Sequence, residues 1–436
     1  PIGVATIYKP KSLFIYILSI FIISCSPVNL SINKDQTTNV NLKIKEKPTL
    51  NRSEDLSKKK IVDISQKKHN LNDFKLHTTI TFLFHNKDND KLTNQFINVS
   101  EIAMYNKKLD NVLFEIQYFT NEKDLLTILS KTVNKGQIYI GPIEKKFTKI
   151  AKNFCDKGVI FFSFSSDVNL AGDCVYLLNF FPKNELEELF KYLENDSRLA
   201  LLYPENDYGY LINSLIDDAI NNSNAILVNR SSYKYDLSNV RDSIKDLGKY
   251  ELRKYELERQ KQILSLKKDE YSKKRLKKLQ KFKTTNDYDF THVLIADYGL
   301  NLLQVAPLLP YYDIDPNVVQ FLSTGVIDDN NFFYEPSLQG TLFPGIEKGN
   351  REDLTNQYIK IYDDSLLRIS TLPYDLVGLL NYVFSKDLSF FQTLDLLNNS
   401  SVKFDGIDGK FNFQNNVIER DLDILKIENG EAKKIN

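Results

Sequence analysis

Leu201-Leu-Tyr-Pro-Glu-Asn-Asp-Tyr-Gly209 carries an unbroken apolar run into a polar turn and then into a helix. The run, Leu199–Tyr203, does not alternate with polar residues, as expected for a strand covered on both faces. Gly209–Asn221 then spaces its apolar side chains as a helix does. A helix over Glu185–Leu193 precedes the stretch. The strands Ala225-Ile-Leu-Val228 and His292-Val-Leu-Ile-Ala296 follow it. Apolar strands separated by helices predict a parallel sheet with helices on both faces.

The same alternation runs upstream. Strands are expected at Thr79–Phe84, Leu113–Phe119, Gln137–Ile140 and Val159–Phe164. Helices are expected at Ile97–Lys107, Leu125–Val133 and Phe147–Cys155. A chain of 436 residues holds two or three domains at roughly 100–200 residues each. The fold class expected is α/β, with two doubly wound parallel-sheet lobes in tandem. Ligands of such sheets sit beyond the carboxyl ends of the strands. The divisions expected are 1–25 as signal peptide, 26–75 as flexible tether, 76–180 with 347–400 as first lobe, and 181–346 with 401–430 as second lobe.

Composition narrows the function classes. The 57 basic and 57 acidic residues balance, so a surface built for nucleic acid is not expected. The 13 Pro and 16 Gly exclude collagen-like and low-complexity classes. Of the four His, at 69, 77, 85 and 292, none forms a metal pair at helical spacing. No nucleophile elbow, phosphate-binding Gly loop or zinc signature occurs. The adjacent acids Asp217-Asp218 and Asp328-Asp329 are expected to be solvated. Neither catalysis nor a cofactor is expected.

The N-terminus reads as an address. Lys9 and Lys11 precede an apolar run, Leu13–Ile23, which stops at Ser24-Cys25-Ser26-Pro27. The run falls short of the about 20 apolar residues a spanning helix needs, and its order is that of a secretory signal. Ile22-Ile23-Ser24-Cys25 resembles a bacterial lipobox, which implies acylation of Cys25 and, with Ser26 following, transfer to the outer membrane. The alternative is a signal anchor or cleaved signal in which Cys25 is incidental. From Cys25 to Asp73 there is no aromatic residue, so burial cannot offset chain entropy and a tether is expected. Such a coil of about 50 residues has an r.m.s. span of roughly 35–45 Å.

Residues 246–283 hold 14 Lys/Arg against 6 Asp/Glu. Leu252, Tyr255, Ile263 and Leu266 fall near helical spacing, as do Leu276 and Leu279. An amphipathic helix or hairpin is expected here, lying on its lobe by a narrow apolar stripe. It is either a solvated face or a basic contact for a partner. Cys155 and Cys174 either pair or stay as buried free thiols, since spacing alone cannot decide.

Several short motifs stand in a telling order. They are Ile140-Gly141-Pro142, Phe162-Ser-Phe-Ser-Ser166, the 201–209 stretch, Asp236-Leu-Ser-Asn-Val240, Pro373-Tyr374-Asp375 and Phe404-Asp-Gly-Ile-Asp-Gly-Lys-Phe-Asn-Phe413. Together they resemble the type 1 periplasmic binding protein superfamily, the Leu/Ile/Val-binding group, over about residues 76–430. The basic insertion, Ala306–Tyr312 and Ser163–Asp167 resemble the penicillin-binding protein activator branch, the LpoA-type lipoproteins. That resemblance implies a periplasmic lipoprotein, anchored to the outer membrane, that activates a bifunctional peptidoglycan synthase. The helical-repeat domain found at the N-terminus of some members is not expected here.

For the cleft, the resemblance implies Ser165 and Ser166 as hydroxyls for a ligand carboxylate and Tyr208 as a stacking ring. Ser165 and Ser166 would equally cap a helix, and Tyr208 would equally be packing. Three positions depart from the amino-acid-binding pattern. Glu144 or Lys145 replaces a small hydroxyl residue, Thr324 stands where the ammonium-binding acid is usual, and His85-Asn-Lys-Asp-Asn replaces a glycine-containing loop. An ammonium buried without its acid is poorly compensated. Two functions stand: a non-enzymatic cell-wall regulator, or the substrate-binding lipoprotein of a branched-chain amino acid ABC importer with a small solute in the cleft.

Overall fold

The computed structural model describes residues 6–8, 73–86 and 90–435. The apolar run, Cys25 and the expected tether up to residue 72 lie outside them. The first sheet takes β1 (Thr6–Tyr8), β2 (Thr79–His85), β3 (Leu113–Phe119), β4 (Ile138–Ile140), β5 (Ile160–Ser163) and β6 (Val175–Leu177). The second takes β7 (Arg198–Pro204), β8 (Ile226–Tyr233), β9 (His292–Ile295), β10 (Gln320–Leu322) and β11 (Leu342–Gly345). The tail supplies β12 (Phe404–Gly406), β13 (Gly409–Gln414), β14 (Val417–Arg420), β15 (Asp423–Glu428) and β16 (Glu431–Lys434).

The first sheet runs β1-β3-β2-β4-β5-β6-β14-β13-β12 and the second β16-β15-β11-β10-β9-β7-β8. In each, five consecutive strands, β2–β6 in one and β7–β11 in the other, are parallel and have the same order, the second beside the first and the rest following outward. This is doubly wound topology, with its switch point between β2 and β4 in one lobe and β7 and β9 in the other.

Period-two geometry explains the unbroken apolar strands. Leu199 and Leu201 enter one core layer with Leu294 and Ala296. Ala200 and Leu202 enter the opposite layer with Val293 and Ile295. Successive side chains point to opposite faces, and helices cover both. The 201–209 stretch folds as its residues direct. Asn206 caps the helix Asp207–Asn221 by accepting from the Gly209 N–H at 2.8 Å. Gly209 is required by crowding, since a Cβ there would lie 2.0 Å from the Pro204 carbonyl oxygen.

Two expectations need correction, and one left open is settled. The stretch 401–430 does not go whole to the second lobe: β12–β14 extend the first sheet beside β6, and only β15 and β16 join the second. Alternating Phe411 and Phe413 mark a buried strand face without naming the neighbouring sheet. The tether ends before residue 75, because the Phe74 ring stacks on Phe390 at 4.6 Å and Asp73 accepts from the Ser389 hydroxyl. Cys155 and Cys174, left open above, are bonded to each other.

The basic insertion is a pair of packed helices, Tyr250–Ser265 and Glu270–Leu279. It does not lie down by its apolar stripe. Leu252, Tyr255, Ile263 and Leu266 are 57, 64, 46 and 84% exposed. The face turned to the lobe carries Leu257 and the buried Arg253. The Arg253 guanidinium donates to the carbonyls of Gly248, Thr285, Asp313 and Tyr312 and to the Thr284 hydroxyl. It also lies 4.5 Å from the centre of the Tyr288 ring. A guanidinium with five donors in a planar fork is suited to gathering several carbonyls at one point.

Candidate functional site

The chemistry expected at a cleft lies beyond the carboxyl ends of the strands, and the two lobes differ there. In the first lobe the polar groups satisfy one another. His85, at the end of β2, faces Glu144, just past β4, with Nδ1 3.2 Å from Oε1. The other ring nitrogen lies 3.0 Å from the Thr120 carbonyl oxygen. The imidazole packs between Phe119 and Phe147. Lys145 pairs with Asp167 at 2.7 Å, which holds the Asp167 carboxyl below the usual range. Ser165 is buried, and its Oγ accepts from the Asp167 N–H at 3.2 Å. Ser166, beside it, is exposed. Asp167, not Ser165 or Ser166, caps the short 3-10 turn Val168–Leu170. Two departures from the amino-acid-binding pattern, His85 and Glu144, are therefore partners at the switch point of the first sheet.

In the second lobe the structure brings Tyr208 and Thr324 together, hydroxyl to hydroxyl at 2.5 Å. The Tyr208 ring meets Tyr298 edge-on, with centres 5.2 Å apart, at the switch point between β7 and β9. Neither of these two reaches Ser165 or Ser166 by a hydrogen bond.

Sequence reasoning missed Glu185. It belongs to the helix Pro182–Tyr192, yet its Oε2 accepts from the Gly325 N–H at 2.9 Å, next to Thr324. A carboxyl group thus returns, from another element, beside the position where the acid seemed lost. Burial pushes it up to about 7, against the Gly325 hydrogen bond and the Arg368 charge, with Asp328 adding to the rise. Burial also raises Tyr208, and the nearby Glu185 adds to that rise. The only signal in the sequence was an acid in a first helical turn, which is ordinary.

Between the lobes lies a buried ionic network that motif reading did not find. Asp328, beyond β10 in the second lobe, accepts from Arg351 at 2.8 Å and from Arg368 at 3.0 Å. Arg368 belongs to the first lobe and also pairs with Asp408 at 2.8 Å. Arg420, at the end of β14, pairs with Asp375 at 2.8 Å. Burial works against the Asp408 carboxylate, but Arg368, Arg420 and Arg351 outweigh it and hold its pKa below the usual value.

The network touches all three segments that cross between the lobes. Arg368 lies 4.1 Å from the Phe180 ring centre on the first, Arg351 donates to the Ile346 carbonyl on the second, and Arg420 leads into the third. The expectation that Asp328 is solvated fails, since its side chain is 7% exposed. Asp375, quoted above only as part of a helix start, is fully used here.

A cavity of about 300 Å³ is lined by Phe333, Glu347, Glu352 and Glu431 among others, and by none of the expected site residues. Among the described residues no group of three His, Cys, Asp or Glu could hold a metal ion. No described helix is long and apolar enough to cross a membrane.

No protein-family model matches the chain, and no curated protein matches it in sequence. Solved structures do match. One is a protein from Rhodospirillum rubrum assigned to a branched-chain amino acid ABC transporter. It has a TM-score of 0.62 at 11% identity, covering 82% of this chain and 99% of that one. A second is an ABC transporter substrate-binding protein from Desulfitobacterium hafniense in complex with Leu. Its TM-score is 0.52 at 15% identity, with 82% and 99% covered. A third is the C-domain of LpoA from Haemophilus influenzae, a regulator of PBP1A, at TM-score 0.51 and 14% identity, with 82% and 100% covered. The likeness is one of fold: the chain has the two-lobed architecture of the type 1 periplasmic binding proteins, which amino-acid-binding proteins and LpoA share.

Proposed function

We propose that the chain is a regulator of peptidoglycan synthesis that works by touching a bifunctional penicillin-binding protein. On this reading it is a periplasmic lipoprotein, held to the outer membrane through Cys25, and it acts by contact rather than by catalysis. The observation that carries the reading is the closure of the first-lobe strand ends. His85 with Glu144, and Lys145 with Asp167, spend on each other the groups a polar solute would need. Displacing such pairs costs a solute their hydrogen bonds before it makes its own. The Cys155–Cys174 bond supports an oxidising compartment. The likeness to the LpoA C-domain supports the partner class.

The test is a transpeptidase assay with the purified synthase of the same cell. The expected result is a rate increase that saturates with added protein. No binding and no rate change would overturn the proposal.

A second reading is a solute-binding lipoprotein of an ABC importer, with branched-chain amino acids as the solute class. The Tyr208–Thr324–Glu185 cluster favours it, because it places two hydroxyls and a carboxyl at the carboxyl edge of the second sheet. Thermal unfolding against an amino-acid panel separates the two readings. A solute at 100 times its Kd adds ~2.7 kcal/mol of stability. A shift with a single solute selects this second reading, and a flat panel removes it.

A further inference from the structure

The inserted helix pair shows its apolar side chains to solvent, and its geometry says what would cover them. At 100° per residue, Leu252, Tyr255, Ile263 and Leu266 fall within about 80° of the helix circumference. That is one narrow ridge, four turns long, with Arg259 in its middle turn. All four are about half exposed or more. Arg253 and Leu257 take the opposite side down to the lobe, so the ridge stands on a fixed base.

Charge is concentrated in the tip and the returning second helix. Residues 266–283 hold nine Lys/Arg and two Asp/Glu. Lys274, Arg275, Lys277 and Lys278 form no ion pair among the described residues. Near the base, Glu256 and Glu258 are already paired with Arg259 and Lys261.

We infer that this arm is a docking ridge for an amphipathic helix of a partner protein, one with apolar residues at the same spacing and acidic residues along its flank. The inference rests on the proposed regulatory reading for the partner's identity, and the ridge specifies the chemistry of the contact. A bilayer fits less well, because Arg259 lies inside the ridge and Glu256 beside it, and burying them in hydrocarbon is costly. A second copy fits less well, because the first helix of its arm offers no net negative charge to meet the cationic second helix.

The arm also stands away from the strand ends that carry Tyr208 and Thr324. It leaves the chain just before β9, and Arg253 grips Thr285, Tyr312 and Asp313, which precede β9 and β10. The contact therefore uses the amino-terminal edge of the second sheet and leaves the carboxyl edge free.

The experiment measures binding of the detergent-solubilised bifunctional synthase from the same cell to the whole mature chain and two variants. One variant replaces Leu252, Tyr255, Ile263 and Leu266 with Ser. The other reverses charge at Lys274, Arg275, Lys277 and Lys278. Circular dichroism melts check the fold, and Leu266→Ser alone serves if the fourfold variant unfolds. The expected result is a loss of tenfold or more in affinity for the ridge variant. The charge variant should bind weakly at low salt and lose its salt dependence.

Tight binding by wild type and both variants alike overturns the ridge and leaves the regulatory reading standing. No binding by wild type overturns both. Capture of vesicles containing phosphatidylglycerol, lost in the variants while synthase binding is unchanged, overturns a protein partner in favour of a membrane. Dimerisation of the chain, lost in the ridge variant while synthase binding is unchanged, overturns it in favour of a second copy.

Discussion

The Asp328 carboxylate of the second lobe accepts a hydrogen bond from the Arg368 guanidinium of the first at 3.0 Å. Arg351 donates to both oxygens of the same carboxylate. One acid thus serves two cations across the boundary between lobes, where the chain crosses three times.

Removing that acid leaves two guanidiniums underpaired in a buried site. Breaking a buried pair by deleting one partner costs about 3–5 kcal/mol. Asp328→Ala is therefore expected to lower stability by about 3 kcal/mol, read from the urea midpoint. It is also expected to widen the distribution of interlobe angles in small-angle scattering. An unchanged midpoint would show that the network contributes nothing.

Glu185 gives a pH signature. Its folded pKa, about 7, lies above the unfolded value of about 4.3. Between these the folded state holds a proton the unfolded state has released, so stability falls as pH rises through the window. Above pH 7 the penalty is complete. Glu185→Gln should match wild type near pH 4 and exceed it at pH 8 by up to about 3 kcal/mol. A difference independent of pH would refute the buried-acid assignment.

At Gly209 a single methyl group decides. The Cβ of Gly209→Ala would meet a backbone carbonyl, not a side chain able to swing away. A loss of about 2–3 kcal/mol is expected, in the range of core strain, with a lowered thermal midpoint. Wild-type stability would mean the turn after β7 gives way to the added methyl group.

The Cys155–Cys174 bond closes a loop with a sequence separation of 19. Loop-closure entropy for that length gives about 3 kcal/mol. Cys155→Ser with Cys174→Ser, or reduction of wild type, should lower the denaturation midpoint accordingly. Equal midpoints under oxidising and reducing conditions would contradict a formed bond.

Repeating local patterns made the lobes legible in sequence. Leu199–Leu202 and Val293–Ala296 are apolar at every position because both faces are covered, and no other context was needed. The Tyr208–Thr324 contact was half legible, since each position follows a strand but their meeting depends on how far β10 lies from β7. The inserted arm was read with the wrong side down. Its apolar spacing fits either orientation, and what fixes the orientation is Arg253, a charged residue that local pattern assigns to solvent. Five carbonyl and hydroxyl oxygens drawn from three separate stretches hold it, and such a gathering has no one-dimensional signature. Asp328, Asp375 and Asp408 were hidden for the same reason, each sitting in a turn or helix start where an aspartate is commonplace.

Buried charges tie the halves at each crossing, Arg368 at the first, Arg351 at the second and Arg420 at the third. Asp73 and Phe74 fasten the entry of the chain to Ser389 and Phe390 at the opposite lobe from the arm. Arg253 joins the arm to the second lobe, and Asp328 joins that lobe to Arg368 of the first. A pull on the arm would therefore reach the first lobe through buried charge contacts rather than through the chain crossings alone.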